Sequence, residues 1–196
     1  LRLAICTVGL PGSGKGIFVK AAERLGLPTY VMGDIIREEA RRRLGSDDSY
    51  HTGILMRRLR EEEGMDIVAR LLYKRILLDK LDNDVVLIDG LRNIEELEFF
   101  RERFDKVVLI AVVADVETRF RRLISRGRVD DVKSFEEFIE RENRELSIGL
   151  SKLMTMADYY FINVGIGIDV GVDRAVDLLN IVMKDVFGVD EVGEEE

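Results

Sequence analysis

Gly9-Leu10-Pro11-Gly12-Ser13-Gly14-Lys15-Gly16 lies between an apolar run, Leu3–Val8, and a helical pattern that begins at Ile17. A buried strand, a glycine-rich loop and a helix start, in that order, make an anion site. Backbone N–H groups of the loop converge on one point, and the helix dipole adds partial positive charge there. Gly9, Gly12, Gly14 and Gly16 let the backbone approach a phosphate without Cβ clashes, and Lys15 brings a full positive charge to the outer phosphates. The expected ligand is a nucleoside triphosphate, ATP, with residues 9–17 around its phosphates.

The loop departs from the Walker A pattern G-x-x-x-x-G-K-S/T at one position. Gly16 stands where that pattern places a hydroxyl on Mg²⁺, and Ile17 follows it. The ion is then expected on phosphate oxygens, water and a more distant carboxylate. Val85-Val86-Leu87-Ile88-Asp89-Gly90 is an apolar strand ending in such a group, so Asp89 is the candidate to hold Mg²⁺ through water. The plainer reading of Asp89 is a strand-end residue that opens a turn.

Five apolar runs read as strands: Leu3–Val8, Thr29–Met32, Val85–Asp89, Val107–Val113 and Tyr159–Val164. Helical patterns separate them at about 14–25, 34–44, 54–63, 65–81, 93–103, 115–126, 134–147 and 172–187. The runs at 85 and 107 are continuously apolar and β-branched, as parallel strands covered on both faces are. This alternation predicts an α/β fold, a doubly wound five-stranded parallel sheet of the P-loop NTPase type, with ligands outside the carboxyl ends of the strands. The helices at 34–81 are too long for one crossover, and a basic stretch fills about 120–133. Two such insertions are what a phosphotransferase uses to hold an acceptor and to close over a donor.

Composition suits one unit over residues 1–187 with an acidic tail at 188–196, which is expected to be solvated. Apolar residues make up 46%, enough for a packed α/β core, and no run reaches the ~18 apolar residues of a membrane span. No signal-peptide pattern opens the chain. Cys6, the single cysteine, lies inside the first strand and reads as a small buried apolar residue. Together these point to the cytoplasm. A net charge of −8 argues against nucleic acid as a partner. Charged residues reach 35% with no Gln and no Trp, a balance that resembles thermophile usage. Nothing in the sequence sets an oligomeric state.

Asp34, directly after the second strand, suits a helix cap, and Arg122 and Arg126 share a helix face. His51, the only histidine, reads as a loop residue beside Thr52 and Gly53. The run Gly165 to Gly171 lacks dinucleotide-binding spacing, and no Asn-Lys-x-Asp element for guanine is present.

The loop Gly-x-Pro-Gly-x-Gly-Lys-Gly resembles that of adenylate kinases, with Ile17 in place of their usual Thr. Gly33-Asp34-x-x-Arg37 resembles their acceptor signature, and Asp89-Gly90-Leu91-Arg92 resembles their Asp-Gly-x-Pro-Arg without the proline. Arg122-Leu123-x-x-Arg126, then Gly127-Arg128, Asp130-Asp131, Arg141 and Arg144, resembles the run from lid to following helix. The chain is thus similar to P-loop nucleoside monophosphate kinases, in particular to archaeal adenylate-kinase-related proteins. Ala157-Asp158, Asn163 and Gly165 instead resemble the closing strand of dephospho-CoA kinases, where that loop approaches the adenine.

The resemblance implies transfer of phosphate from ATP, with Mg²⁺, to AMP or another small nucleotide. It places an acceptor phosphate on Gly33, Asp34, Arg37, Gly90, Arg92 and Arg141, and ATP on residues 9–17 and Asn163. It gives Lys15, Arg122, Arg126 and Arg128 the stabilisation of the transferring group. A dephospho-CoA-like acceptor, or a slow ATPase or nucleotide-bound regulatory module, stands as the alternative.

Overall fold

The computed structural model describes residues 2–127 and 131–188. Strands β1 (Leu3–Val8), β2 (Thr29–Val31), β3 (Val85–Leu91), β4 (Lys106–Val113) and β5 (Tyr159–Ile162) form one parallel sheet in the order β2-β3-β1-β4-β5. The helices are α1 (Gly16–Arg24), α2 (Met32–Leu44), α3 (Ser49–Glu63), α4 (Ile67–Leu78), α5 (Ile94–Arg101), α6 (Val116–Arg126), α7 (Phe135–Ser147), α8 (Leu150–Thr155) and α9 (Ile168–Phe187).

All of β1 is buried, and its side chains alternate between two cores. Ala4, Cys6 and Val8 pack with α2, α3, α4, α5 and α8 on one face. Leu3 and Ile5 pack with α1 and α9 on the other. Covering both faces is what makes β1, β3 and β4 continuously apolar, and it leaves the carboxyl ends of the strands as the open side of the sheet. A smaller cluster of Leu123, Val132 and Phe138, with Phe120, joins α6 to α7 apart from both cores. No helix among the described residues is long and apolar enough to cross a membrane.

Local chemistry moves several expected boundaries. α2 begins at Met32 with Val31 at its N-cap, so Asp34 is not the cap. It sits in the first turn, where the helix dipole favours a carboxylate, and it accepts a hydrogen bond from Arg37. α3 begins at Ser49 rather than near 54, because the Asp48 side chain caps it by accepting from the His51 backbone N–H at 2.9 Å. His51 therefore belongs to a helix and not to a loop. That bond, the Ser46 hydroxyl and the His51 ring hold the Asp48 carboxyl down at about 2. α4 and α5 stop short of the expected 65–81 and 93–103, and α1 short of 14–25. α9 begins at Ile168 rather than 172, taking in the end of the Gly165–Gly171 run. α8 had no periodic signal, since its six residues are under two turns.

β3 does not end at Asp89 but continues to Leu91. Against β1 it pairs Thr7 with Asp89 and Val8 with Leu91, so Gly90 is an extra residue, at φ 94°. A bulge of this kind turns the strand beside the loop that carries Lys15. Arg128 and the tail beyond 188 lie outside the described residues.

Cys6 has no exposed surface, and burial pushes its thiol pKa up. Thiolate is the reactive form, so a thiol reagent should label the folded chain only through unfolding. The labelling rate should rise with denaturant along the unfolding curve. Rapid stoichiometric labelling of the native chain would contradict this packing.

Candidate functional site

The phosphate loop is held from behind. The Asn163 side-chain amide donates to the Ser13 carbonyl at 2.9 Å. Arg122 donates through Nη1 to the same carbonyl at 3.1 Å and through Nη2 to the Asn163 carbonyl at 3.0 Å. Gly12 and Gly14 are left-handed, at φ 80° and 90°. A Cβ at Gly12 would lie 2.4 Å from the Arg119 carbonyl oxygen, and one at Gly14 would lie 2.2 Å from the Asn163 amide nitrogen. Arg119 is itself fixed, donating to the Ala114 carbonyl at 3.0 Å and pairing with Glu142. Position 16 is different: a Cβ there meets nothing within 4 Å. Packing therefore does not require a glycine at this position.

Lys15 donates to the Gly9 carbonyl at 2.6 Å, which folds its side chain along the loop. Burial lowers its pKa, and the nearby Asp89 and Glu145 carboxylates oppose that shift. Asp89, 9% exposed, accepts from the Thr7 hydroxyl at 2.5 Å. The residues present fit Mg²⁺ in one way. Among the described residues no group of three or more His, Cys, Asp or Glu gathers as a metal cage. Asp89 stands beside the loop as an oxygen donor, which suits an ion that arrives with phosphate and water ligands of its own.

Three cavities meet here. The largest, about 1170 Å³, takes in Gly12, Gly14, Lys15, Gly16, Asp89, Arg122 and Asn163. A second, about 660 Å³, lies under α3 and α7 and holds Arg37, Arg60, Arg92, Arg141 and Glu145. A third, about 120 Å³, shares Lys15, Asp89 and Arg126 with the first and Arg92, Arg141 and Glu145 with the second. Arg37 lines all three.

Most residues singled out from the sequence come together. Gly9, Pro11, Gly33 and Gly90 line the connecting cavity, and Ile17 lines the largest. Leu10 instead packs on the apolar core, and Ser13 is buried with its hydroxyl unbonded. Asp34 was expected with the acceptor residues, but it lines the largest cavity and neither of the others. Arg126 is engaged by Asp131, with Nε 2.9 Å from Oδ2. Arg122 and Asn163 spend the bonds described above on the loop itself.

Four further residues carried no sequence signal. Thr7 orients Asp89. Glu145 holds the Arg92 guanidinium, Nε to Oε2 at 3.1 Å. Glu96, fully buried, accepts from Arg60 at 2.9 Å and from the Arg92 backbone N–H at 2.8 Å. Burial pushes the Glu96 carboxyl pKa up, and Arg60 pulls it back. Apart from the Arg92 backbone, four positions before Glu96, their partners lie far away along the chain, so no local spacing could reveal those pairings.

Residues 8–138 match the family described as an AAA domain. The chain is 43% identical to a UPF0200 protein of Hyperthermus butylicus over 162 residues, 83% of this chain and 86% of that one. The chain belongs to the UPF0200 family. A second UPF0200 protein, from Methanopyrus kandleri, is 46% identical over 163 residues, 82% and 81% of the two chains. Among solved structures, a Thermus thermophilus protein superposes with a TM-score of 0.62 at 20% identity over 93% of this chain and 98% of its own. A shikimate kinase from Acinetobacter baumannii in complex with shikimate gives 0.57 at 20% identity over 94% of each. This UPF0200 chain therefore has a kinase-like P-loop NTPase fold.

The clamp behind the loop gives a stability test. Gly12→Ala should lose at least ~1–2 kcal/mol from its left-handed backbone, with more from the contact with the Arg119 carbonyl. Gly16→Ala should change stability by no more than about 0.5 kcal/mol or raise it. Denaturant melts compare the two, and equal losses would contradict the loop geometry.

Proposed function

We propose that the chain transfers the terminal phosphoryl group of ATP to a nucleoside monophosphate, AMP first among the candidates. The observation that carries the reading is that the cavities adjoin: the one on the phosphate loop shares lining residues with a small arginine-lined space, which shares others with a second, basic cavity. The choice of AMP rests on the resemblance of Gly33-Asp34-x-x-Arg37 and of Asp89-Gly90-x-Arg92 to adenylate-kinase signatures.

Transfer between two phosphates needs position and charge compensation, and no protein nucleophile. Lys15 and the loop N–H groups would bind the outer phosphates of ATP. Arg37, Arg92 and Arg141 would bind the acceptor phosphate, with guanidinium forks matched to its oxygens. Arg126 lines both the donor and connecting spaces, so it can meet charge as it shifts between phosphates. Mg²⁺, held by triphosphate oxygens and through water by Asp89, would neutralise phosphate charge. The segment at 120–133 would be the closing lid and α2 to α4 the acceptor-holding insertion.

Gly16 favours a second reading, a slow ATPase or nucleotide-bound module, since the loop lacks a hydroxyl for the metal. An ADP-release assay with ATP and Mg²⁺ separates the two, run with AMP, other nucleoside monophosphates, dephospho-CoA and shikimate. The kinase should release ADP only when an acceptor is present. The same slow release with and without every acceptor would select the module.

Substitutions divide the two sites. Lys15→Ala should abolish turnover and weaken ATP more than AMP. Arg37→Ala and Arg92→Ala should each weaken the acceptor by about 1.5–3 kcal/mol, the worth of a charge-assisted bond, with ATP affinity nearly unchanged. Normal AMP binding in both arginine variants would place the acceptor elsewhere.

A further inference from the structure

Acidic residues outnumber basic ones in this chain, 38 to 30, and most of its arginines sit on a carboxylate. Arg41 is on Asp47, Arg58 on Glu62 and Arg121 on Glu117. Arg57 and Arg144 are exceptions: among the described residues neither guanidinium has a carboxylate partner. The helices offer each of them one. Glu61 follows Arg57 by one turn on α3, the spacing at which the adjacent Arg58 does pair with Glu62. Glu140 precedes Arg144 by the same interval on α7.

Both free guanidiniums open on the 660 Å³ cavity, from the two helices that wall it. Neither reaches the connecting space, where Arg37, Arg92 and Arg141 stand. Met56, Met65 and Ile148 add apolar surface to the same lining. Glu61 is also in the lining, and neither guanidinium pairs with it. Arg60, 5% exposed at its side chain, faces the same cavity with its Nε unbonded. The cavity thus offers two sets of cations, Arg37, Arg92 and Arg141 shared with the connecting space and Arg57 and Arg144 outside it, where a single phosphate would need only one set.

We infer that the acceptor carries a second phosphate, or a comparable anion, remote from its reacting end, and that Arg57 and Arg144 hold it. Among nucleoside 5′-monophosphates, the preferred acceptor is then one that bears a second phosphate. This rests on the reading of the 660 Å³ cavity as the acceptor site. The two arginines act as specificity residues: they select among acceptors and contribute little to the affinity for ATP.

Calorimetry on the full chain tests this with AMP and adenosine 3′,5′-bisphosphate as the probes. The bisphosphate should bind at least about tenfold more tightly than AMP, which is about 1.4 kcal/mol. Arg57→Ala with Arg144→Ala should remove that advantage and leave AMP and ATP affinities nearly as they were. Both arginines are exposed on helix surfaces, so the double variant should keep the native melting temperature. Equal binding of the two probes by the native chain would overturn the inference, as would an advantage that survives in the variant. An equal loss for AMP in the variant would mean general attraction of anions and would overturn it too. If the second phosphate is inert while AMP binds and supports ADP release, the inference fails and the phosphotransfer reading stands. If neither probe binds, both fail.

Discussion

The phosphate loop keeps its shape because other parts of the chain fill the space behind it. Two left-handed glycines, Gly12 and Gly14, lie so close to the Arg119 carbonyl and the Asn163 amide that no side chain fits at either position. The Asn163 and Arg122 bonds to Ser13 fix the loop's own carbonyls away from the ligand side. Its N–H groups can then face an anion without reorganising, which is the condition for electrostatic stabilisation to be effective. The sheet order supplies this clamp, since β4 lies beside β1 and β5 beside β4. Residues distant in sequence, on α6 and just after β5, thereby reach the loop. Any movement of the C-terminal half of α6 is tied to the phosphate site through Arg122.

The 660 Å³ cavity depends on buried carboxylates. Arg92 is set by two of them: Glu96 fixes its backbone and Glu145 its guanidinium. Burying Glu96 is costly, and the Arg60 guanidinium together with the Arg92 backbone N–H offsets that cost. Such an arrangement aims a cation rather than stabilising the fold, because apolar residues would fill the same space at least as well. Glu145 also lies near Lys15 and the connecting cavity. On the proposed reading, an incoming acceptor phosphate and Glu145 would compete for one guanidinium, which would make Arg92 the point where acceptor binding rearranges the site.

The sequence carried the sheet and the donor loop well, for a physical reason. Parallel strands buried on both faces must be apolar throughout, and a loop that wraps phosphate must be glycine-rich; both conditions leave local marks. Leu3–Val8 was legible to the residue, and so was the placement of Asp89 beside Lys15. What was not legible depends on distance. Thr7 bonds Asp89 across 82 positions and Arg60 bonds Glu96 across 36, and neither pair has a spacing signature. The bulge at Gly90 is set by register between two strands rather than by either alone. α3 was cut short because its amphipathic pattern is weak at the start, where the Asp48 cap determines the boundary. Asp34 looked like a cap because capping residues and first-turn acids are the same residue types.

On the proposed reading, the adjoining cavities join a triphosphate site on the loop to a second site for an anionic ligand. Titration with P1,P5-di(adenosine-5′) pentaphosphate, which carries a nucleoside at each end of one phosphate chain, measures this directly. One molecule should bind per chain, more tightly than ATP or AMP, and it should displace both of them together. Two molecules per chain, or displacement of ATP with AMP left bound, would mean that the two sites do not share a path for the phosphoryl group.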